Sequence, residues 1–246
     1  MRPGAEKIRT APAEVAPTRS RATPTRRNDP EQTRRDILDV ATEEFALLGL
    51  AGARVDAIAA RTLTTKRMIY YYFESKEKLY EAVLEKVYND IREDERRMGL
   101  TEQEPEPAMR ALVELTFDYH DQHPDFIRLV TMENLHAGRH LKRSPTFRSK
   151  NASVIRMIDT ILQRGSAAGV FRDGLDAIDL HMLISSFCFH RIANRHTFGT
   201  VAGRDPLSAR HRVHQRAMLV ETVMRYVRVD VVGQAEDDAV VLPENR

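Results

Sequence analysis

Residues Arg54–Lys78 read RVDAIAARTLTTKRMIYYYFESKEK. Val55, Ile58 and Ala59 fall on one side of a helix over 54–61, and Ile69, Tyr72 and Phe73 share a side of a second helix over 66–73. Thr62-Leu63-Thr64 separates the two, and Thr65 is placed to cap the second. Two short helices joined by such a turn form a helix-turn-helix, whose second helix can enter a major groove. Opposite its apolar side the second helix carries Lys66, Arg67, Tyr70 and Tyr71. Cations bind phosphate or guanine edges, and phenols donate to phosphate oxygens. The hydroxyl of Thr65 and the free N–H groups beside it suit an anion. Lys76 and Lys78, behind a Ser75 cap, offer a second phosphate site; Thr33 and Arg54 are further candidates.

Upstream, Asp29-Pro30-Glu31-Gln32 resembles a capping box with proline at the first helical position. Ile37, Leu38, Ala41, Phe45 and Leu48 then share one face, and Gly49 predicts the helix end. Downstream, Leu79, Val83, Val87 and Ile91 recur every four residues in a helix over 76–98 that Gly99 stops. Leu100–Pro107 reads as an acidic, proline-containing linker. Five more helices are expected near 107–121, 124–136, 145–168, 177–197 and 207–228, with breaks at proline and glycine. No strand alternation persists, so the fold is expected to be all-α.

The ends differ from this body. Residues 1–28 hold four prolines and seven basic against two acidic residues, with almost no large apolar side chain. They predict a flexible basic arm whose Arg19, Arg21, Arg26 and Arg27 add phosphate or minor-groove contacts. A solubilising tail is the competing reading. Residues 230–246 predict a frayed acidic tail.

The 246 residues are 42% hydrophobic and 30% charged, which excludes wholesale disorder. The densest apolar run, Met182–Phe189, is far shorter than a membrane span, and Met1–Arg9 lacks the apolar core of a secretion signal. Cys188 is the single cysteine, so an internal disulfide and a multi-cysteine zinc site are excluded and a cytoplasmic location is the default expectation. No serine elbow, phosphate-binding loop or dinucleotide glycine pattern occurs, and neither cofactor nor metal is expected.

Over Thr33–Leu79 the chain resembles the tetracycline-repressor-like transcriptional regulators. The resemblance rests on Arg34-x-x-Ile37-Leu38-x-x-Ala41, Phe45, Gly49, Val55-x-x-Ile58-Ala59 and the tract Ile69-Tyr70-Tyr71-Tyr72-Phe73-Glu74-Ser75-Lys76-Glu77-Lys78-Leu79. It departs in the turn, where Thr62-Leu63-Thr64-Thr65 replaces Ala-Gly-Val-Ser, so Leu63 is expected to be strained. It departs again at Ala53, which lacks the oxygen of the usual cap, and at Arg67 and Met68, which replace smaller groove-facing residues. The resemblance implies a three-helix DNA-binding domain (29–75) joined to a helical effector-binding and dimerisation body (76–229). It also implies a homodimer formed through the last two helices.

In the body, Val213, Ala217, Val220, Met224 and Val227 form a 4-3-4-3 stripe suited to a partner copy, or else to this chain's own core. Glu133, Asn134 and His136, at the end of an apolar helix, are the candidate ligand-orienting groups, with helix-end capping the alternative. The helix 177–197 is apolar nearly all round, so it is expected to be buried, with His181, His190, Arg191, Asn194 and Arg195 needing partners. His120-x-x-His123 has metal-like spacing, but capping and solvation are favoured, and Cys188 is read as a small core residue. The reading is a ligand-responsive, homodimeric DNA-binding repressor released from a palindromic operator by a small molecule. The alternative is a helical enzyme using the His/Glu/Asn cluster.

Overall fold

The computed structural model describes residues 29–144, 147 and 151–229; the arm 1–28, with Arg19, Arg21, Arg26 and Arg27, and the tail 230–246 lie outside the described residues. The Asp29 carboxylate accepts the N–H groups of Glu31 (3.0 Å) and Gln32 (3.2 Å), and α1 runs Pro30–Gly52 from that cap. Gly49 breaks it at φ 67°, ψ 175°, and the chain resumes one short helical turn before Ala53. A side chain at position 49 would be strained and would meet Met132.

Three helices follow: α2 (Val55–Arg61), α3 (Lys66–Phe73) and α4 (Lys76–Arg97). The N-cap of α2 is Arg54 rather than Ala53. No side chain caps it; instead the buried Glu44 carboxylate accepts the Arg54 N–H at 3.1 Å. Thr65 and Ser75 cap α3 and α4 as expected, accepting from the N–H groups of Met68 (3.2 Å) and Lys78 (3.1 Å).

The expected linker is tied down. Left-handed Gly99 ends α4, and Leu100–Glu102 forms a 3₁₀ turn that buries Leu100 in the core. Arg164 donates to the carbonyls of Thr101 and Gln103. Then come α5 (Pro105–Gln122), α6 (Pro124–Leu135), α7 (Ser153–Ala167), α8 (Ala177–Ala193), α9 (Arg195–Ala202) and α10 (Ala209–Val227). The single helix expected over 177–197 is two. Asn194 turns the chain at φ −101°, ψ 13°, its amide bonds His190 Nδ1 at 3.0 Å, and Arg195 pairs with Asp205 at 2.8 Å. Of the helix expected over 145–168, only Phe147 among residues 145–150 is described. Among the described residues there is no strand, only an isolated bridge between Phe171 and Arg228, and no helix long and apolar enough to cross a membrane.

Two apolar clusters organise the helices. One joins Ile37, Phe45, Ile58, Ile69, Phe73 and Leu79 to Tyr80 and Ile91 of α4 and Leu129 of α6. The other joins Leu112 and Phe117 of α5 to α7, Phe171, Ile184 of α8 and Val223 of α10. The first cluster therefore runs past residue 75 into the body. At its edge Tyr80 lies edge-on to both Phe45 and His140, each at 5.1 Å. In the second, Gly165 lets the buried Phe171 ring lie against α7, where a Cβ would overlap it. Gly165→Ala is expected to lower unfolding free energy by about 1–3 kcal/mol through overpacking, read as a fall in the urea midpoint at unchanged m-value.

Candidate nucleic-acid interface and body cavity

The turn between α2 and α3 is closed by backbone bonds from Leu63 N–H to Ala60 (3.4 Å) and from Thr64 N–H to Ala59 (3.1 Å), with the Thr62 hydroxyl on Ile58 (2.9 Å). Leu63 takes φ 52°, the strained conformation expected where the family has glycine. Its side chain is 86% exposed, so no packing offsets that strain.

Burial of Ile69 and Phe73 against α1, α2 and α4 fixes the rotation of α3. That rotation turns Lys66, Arg67, Tyr70 and Tyr71 outward, with Tyr71 77% exposed and its ring edge-on to Tyr72 at 5.4 Å. Among the described residues the guanidinium groups of Arg54 and Arg67 and the hydroxyls of Tyr70 and Tyr71 have no hydrogen-bond or ion-pair partner. The other candidates are engaged. Lys66 pairs with Asp56 (3.2 Å), Lys76 donates to the Ala51 carbonyl (3.3 Å), and Lys78 pairs with Glu81 (2.8 Å). The Thr65 hydroxyl accepts from Met68, and the Thr33 hydroxyl donates to the Asp29 carbonyl at 3.0 Å. These engaged contacts are exposed or half-buried, the class of ion pair that is weak and exchangeable.

The polar cluster of the body is divided by the fold. Glu133 is buried, and its carboxylate accepts the N–H groups of His140 (2.6 Å) and Leu141 (3.2 Å) and meets His140 Nδ1 at 2.9 Å. It holds the turn after α6 rather than facing a cavity. His136 is exposed at that helix end, while Asn134 borders a cavity of about 440 Å³ between α4, α5, α6 and α8. The cavity is walled by Tyr88, Ile91, Phe126, Val130 and Phe189, and its polar lining includes Arg92, Glu95, Thr116, His120 and His181. Arg92 and Glu95 escaped the sequence reading, although Glu95 stands where the stripe Leu79, Val83, Val87, Ile91 would place its next apolar residue.

His120 is buried in this cavity rather than solvated, whereas His123 is exposed and caps α5 as expected, its Nδ1 2.9 Å from the Tyr119 carbonyl and its ring stacked on Tyr119 at 4.0 Å. No cluster of metal-ligating side chains occurs among the described residues. Arg191 finds a structural home, with its Nη1 donating to Asp121 (2.9 Å), its Nε donating to Gln215 (2.7 Å) and its guanidinium 4.0 Å over the Phe117 ring. Burial pushes the Cys188 thiol up to about 12, as suits an inert core residue.

The stripe on α10 is divided as well. Val220, Met224 and Val227 lie in this chain's own core, while Val213 and Ala217 are exposed. The helix α8, expected to be buried all round, exposes Ile178, Met182 and Leu183, with Met182 at 61%. Its inner face packs on α5 and α7, and one face of it is left uncovered.

Burial lowers both cavity imidazoles, His120 and His181, to about 4. Glu95 moves the other way, to about 7, because desolvation outweighs the attraction of Arg92. An unfolded chain protonates the two histidines near pH 6.5, so their stabilisation is full above that pH and is lost as pH falls toward 4. Glu95 opposes this only in part, gaining stability as pH falls from 7 toward 4.5. The melting temperature of the wild type is thus expected to drop between pH 6.5 and 4.5, and that of His120→Gln/His181→Gln to stay level or rise over the same interval.

Known proteins agree with this arrangement. Residues 37–83 match the family described as bacterial regulatory proteins, tetR family, and residues 105–223 match the tetracyclin repressor-like C-terminal domain. The chain is 32% identical over 209 residues to the HTH-type transcriptional repressor NicS of Pseudomonas putida, covering 85% of this chain and 99% of that one. It is 31% identical over 156 residues to the HTH-type transcriptional repressor SCO4008 of Streptomyces coelicolor, covering 63% and 76%. The crystal structure of transcriptional regulator SCO4942 from Streptomyces coelicolor superposes with a TM-score of 0.59 at 28% identity, over 79% of this chain and 98% of that one. The transcriptional regulator FadR from Bacillus subtilis, in complex with stearoyl-CoA, shares the fold at a TM-score of 0.57 and 17% identity, over 79% and 99%. These relatives are regulators, which leaves the helical-enzyme alternative without support. The chain belongs to the tetR family of DNA-binding transcriptional regulators.

Proposed function

We propose that this regulator is a cytoplasmic homodimeric repressor that leaves a palindromic operator when a small molecule enters the cavity between α4, α5, α6 and α8. The observation that carries the reading is the outward face of α3, where Arg67, Tyr70 and Tyr71 stand together unpartnered. In this reading Arg67 reads base edges, and Tyr70, Tyr71, Thr65, Lys66, Lys76 and Lys78 hold phosphates with Thr33 and Arg54 at the flanks. The basic arm adds contacts of its own. Residues 29–75 form the reading unit and residues 76–229 the effector and dimer body.

Several facts support this assignment. Two relatives are named repressors, and one structural neighbour was crystallised with a small-molecule ligand. The exposed apolar side chains of α8 (Ile178, Met182, Leu183) and α10 (Val213, Ala217, Met218) lie on the two helices that the family resemblance assigns to dimerisation. A two-fold dimer would present two copies of α3 to successive major grooves. Asn134 is then the ligand-orienting group at the cavity wall, with Glu133 shaping the turn beside it and His136 left at the exposed helix end.

DNA selected from a random pool by the purified protein is expected to yield a two-fold-symmetric sequence. Arg67→Ala should relax preference at one position per half-site by about 1–3 kcal/mol. Tyr70→Phe with Lys76→Ala should weaken specific and non-specific binding alike and reduce the salt slope by about one. Unchanged affinity at moderate salt would remove those two from the phosphate set. Met182→Glu with Val213→Glu is expected to convert a dimer to a folded monomer in sedimentation; a dimer that persists would place the interface elsewhere.

A further inference from the structure

Arg92 sits in the cavity wall with only 8% of its surface exposed. Its Nε and Nη1 atoms are buried and lack an aligned hydrogen-bond acceptor. Glu95 lies 2.9 Å from Nη1 on the same helix, close enough to pair but not aligned to receive its hydrogen. The bridge is also weak in charge: desolvation raises the Glu95 carboxyl to about 7, and burial lowers Arg92. A buried guanidinium with open donors is costly unless an anion completes it.

The rest of the lining narrows the choice of anion. Among the described residues Arg92 is the one lysine or arginine bordering this cavity, so a dianionic phosphate would find there a single full cation and a neighbouring carboxylate. One negative charge suffices. Tyr88, Phe126 and Phe189 supply ring faces and edges beside it, and His120, also buried, brings an Nδ1 without a partner. A planar carboxylate matches the guanidinium fork through two parallel hydrogen bonds, and a flat apolar body matches the aromatic walls.

We propose that the cavity binds a small organic acid whose carboxylate pairs with Arg92 and whose planar ring lies among Tyr88, Phe126 and Phe189. This deepens the effector reading by naming the ligand class, and it rests on that reading for its effect on DNA but not for binding itself.

Equilibrium dialysis of the full chain against benzoate and 2-naphthoate, each compared with its primary amide, tests it. The expected result is that at least one acid binds about tenfold or more tighter than its amide. Arg92→Gln, checked for folding by circular dichroism, is expected to remove that preference while still admitting the amide. Equal affinity of acid and amide, a tighter amide, no binding of either acid at millimolar concentration, or displacement of the acid by equimolar inorganic phosphate each overturns the proposal. The wild-type comparison stands even if the variant fails to fold. Failure of the protein to select any DNA would instead overturn the repressor reading, because dialysis involves no DNA.

Discussion

The buried position of Tyr80 joins the two halves of the molecule. Its ring is fully enclosed between Phe45 of the first helix and His140 of the turn after α6. His140 is held in turn by the Glu133 carboxylate, which also fixes the backbone of that turn through two N–H groups. Aromatic edge contacts of this kind have defined geometry, and interiors at this density do not deform continuously. A displacement of α6 or α4 therefore reaches α1 as a change of position rather than being absorbed locally.

The same two helices border the cavity. At 1.5 Å per residue α4 carries the chain about 24–28 Å from Lys76, beside the recognition helix, to Arg92 and Glu95 in the cavity wall. Val130 and Asn134 of α6 line the cavity, and Leu129 on the same helix belongs to the core shared with α1. A ligand that favours one spacing of α4 and α6 over another would bias the placement of the reading helices, to the extent that its affinity differs between the two arrangements. In the proposed regulator such coupling needs no long chain of intermediaries, because α4 and α6 both border the cavity and share a core with α1.

How legible each part was in sequence follows the range of the forces that place it. The outward face of α3 was readable because three local facts suffice: an apolar side at Ile69 and Phe73, a cap at Thr65, and a turn before it. The strain at Leu63 was readable for the same reason. Glu133 was not, because its partners lie beyond a turn whose path the sequence does not dictate. Arg92 and Glu95 look like ordinary charges on a long amphipathic helix until α5 and α8 close over them. The stripe on α10 divided between core and surface, since five evenly spaced apolar residues do not record how far a neighbouring helix covers them. The continuous apolar helix near residue 180 proved half uncovered for a related reason: composition reports hydrophobicity, not what meets it.

Along the seam between α5 and α10, Glu114, Asp118 and Asp121 face Arg212 and Arg216, with Arg191 of α8 closing the row. Six charges interlocked in this way behave like the teeth of a rack. They set the axial register of α10 from its inward side and demand nothing of the residues that point away. In the proposed dimer, sequence drift on the outer side of that helix would therefore retune which copies associate, while the rack keeps the protomer itself unchanged.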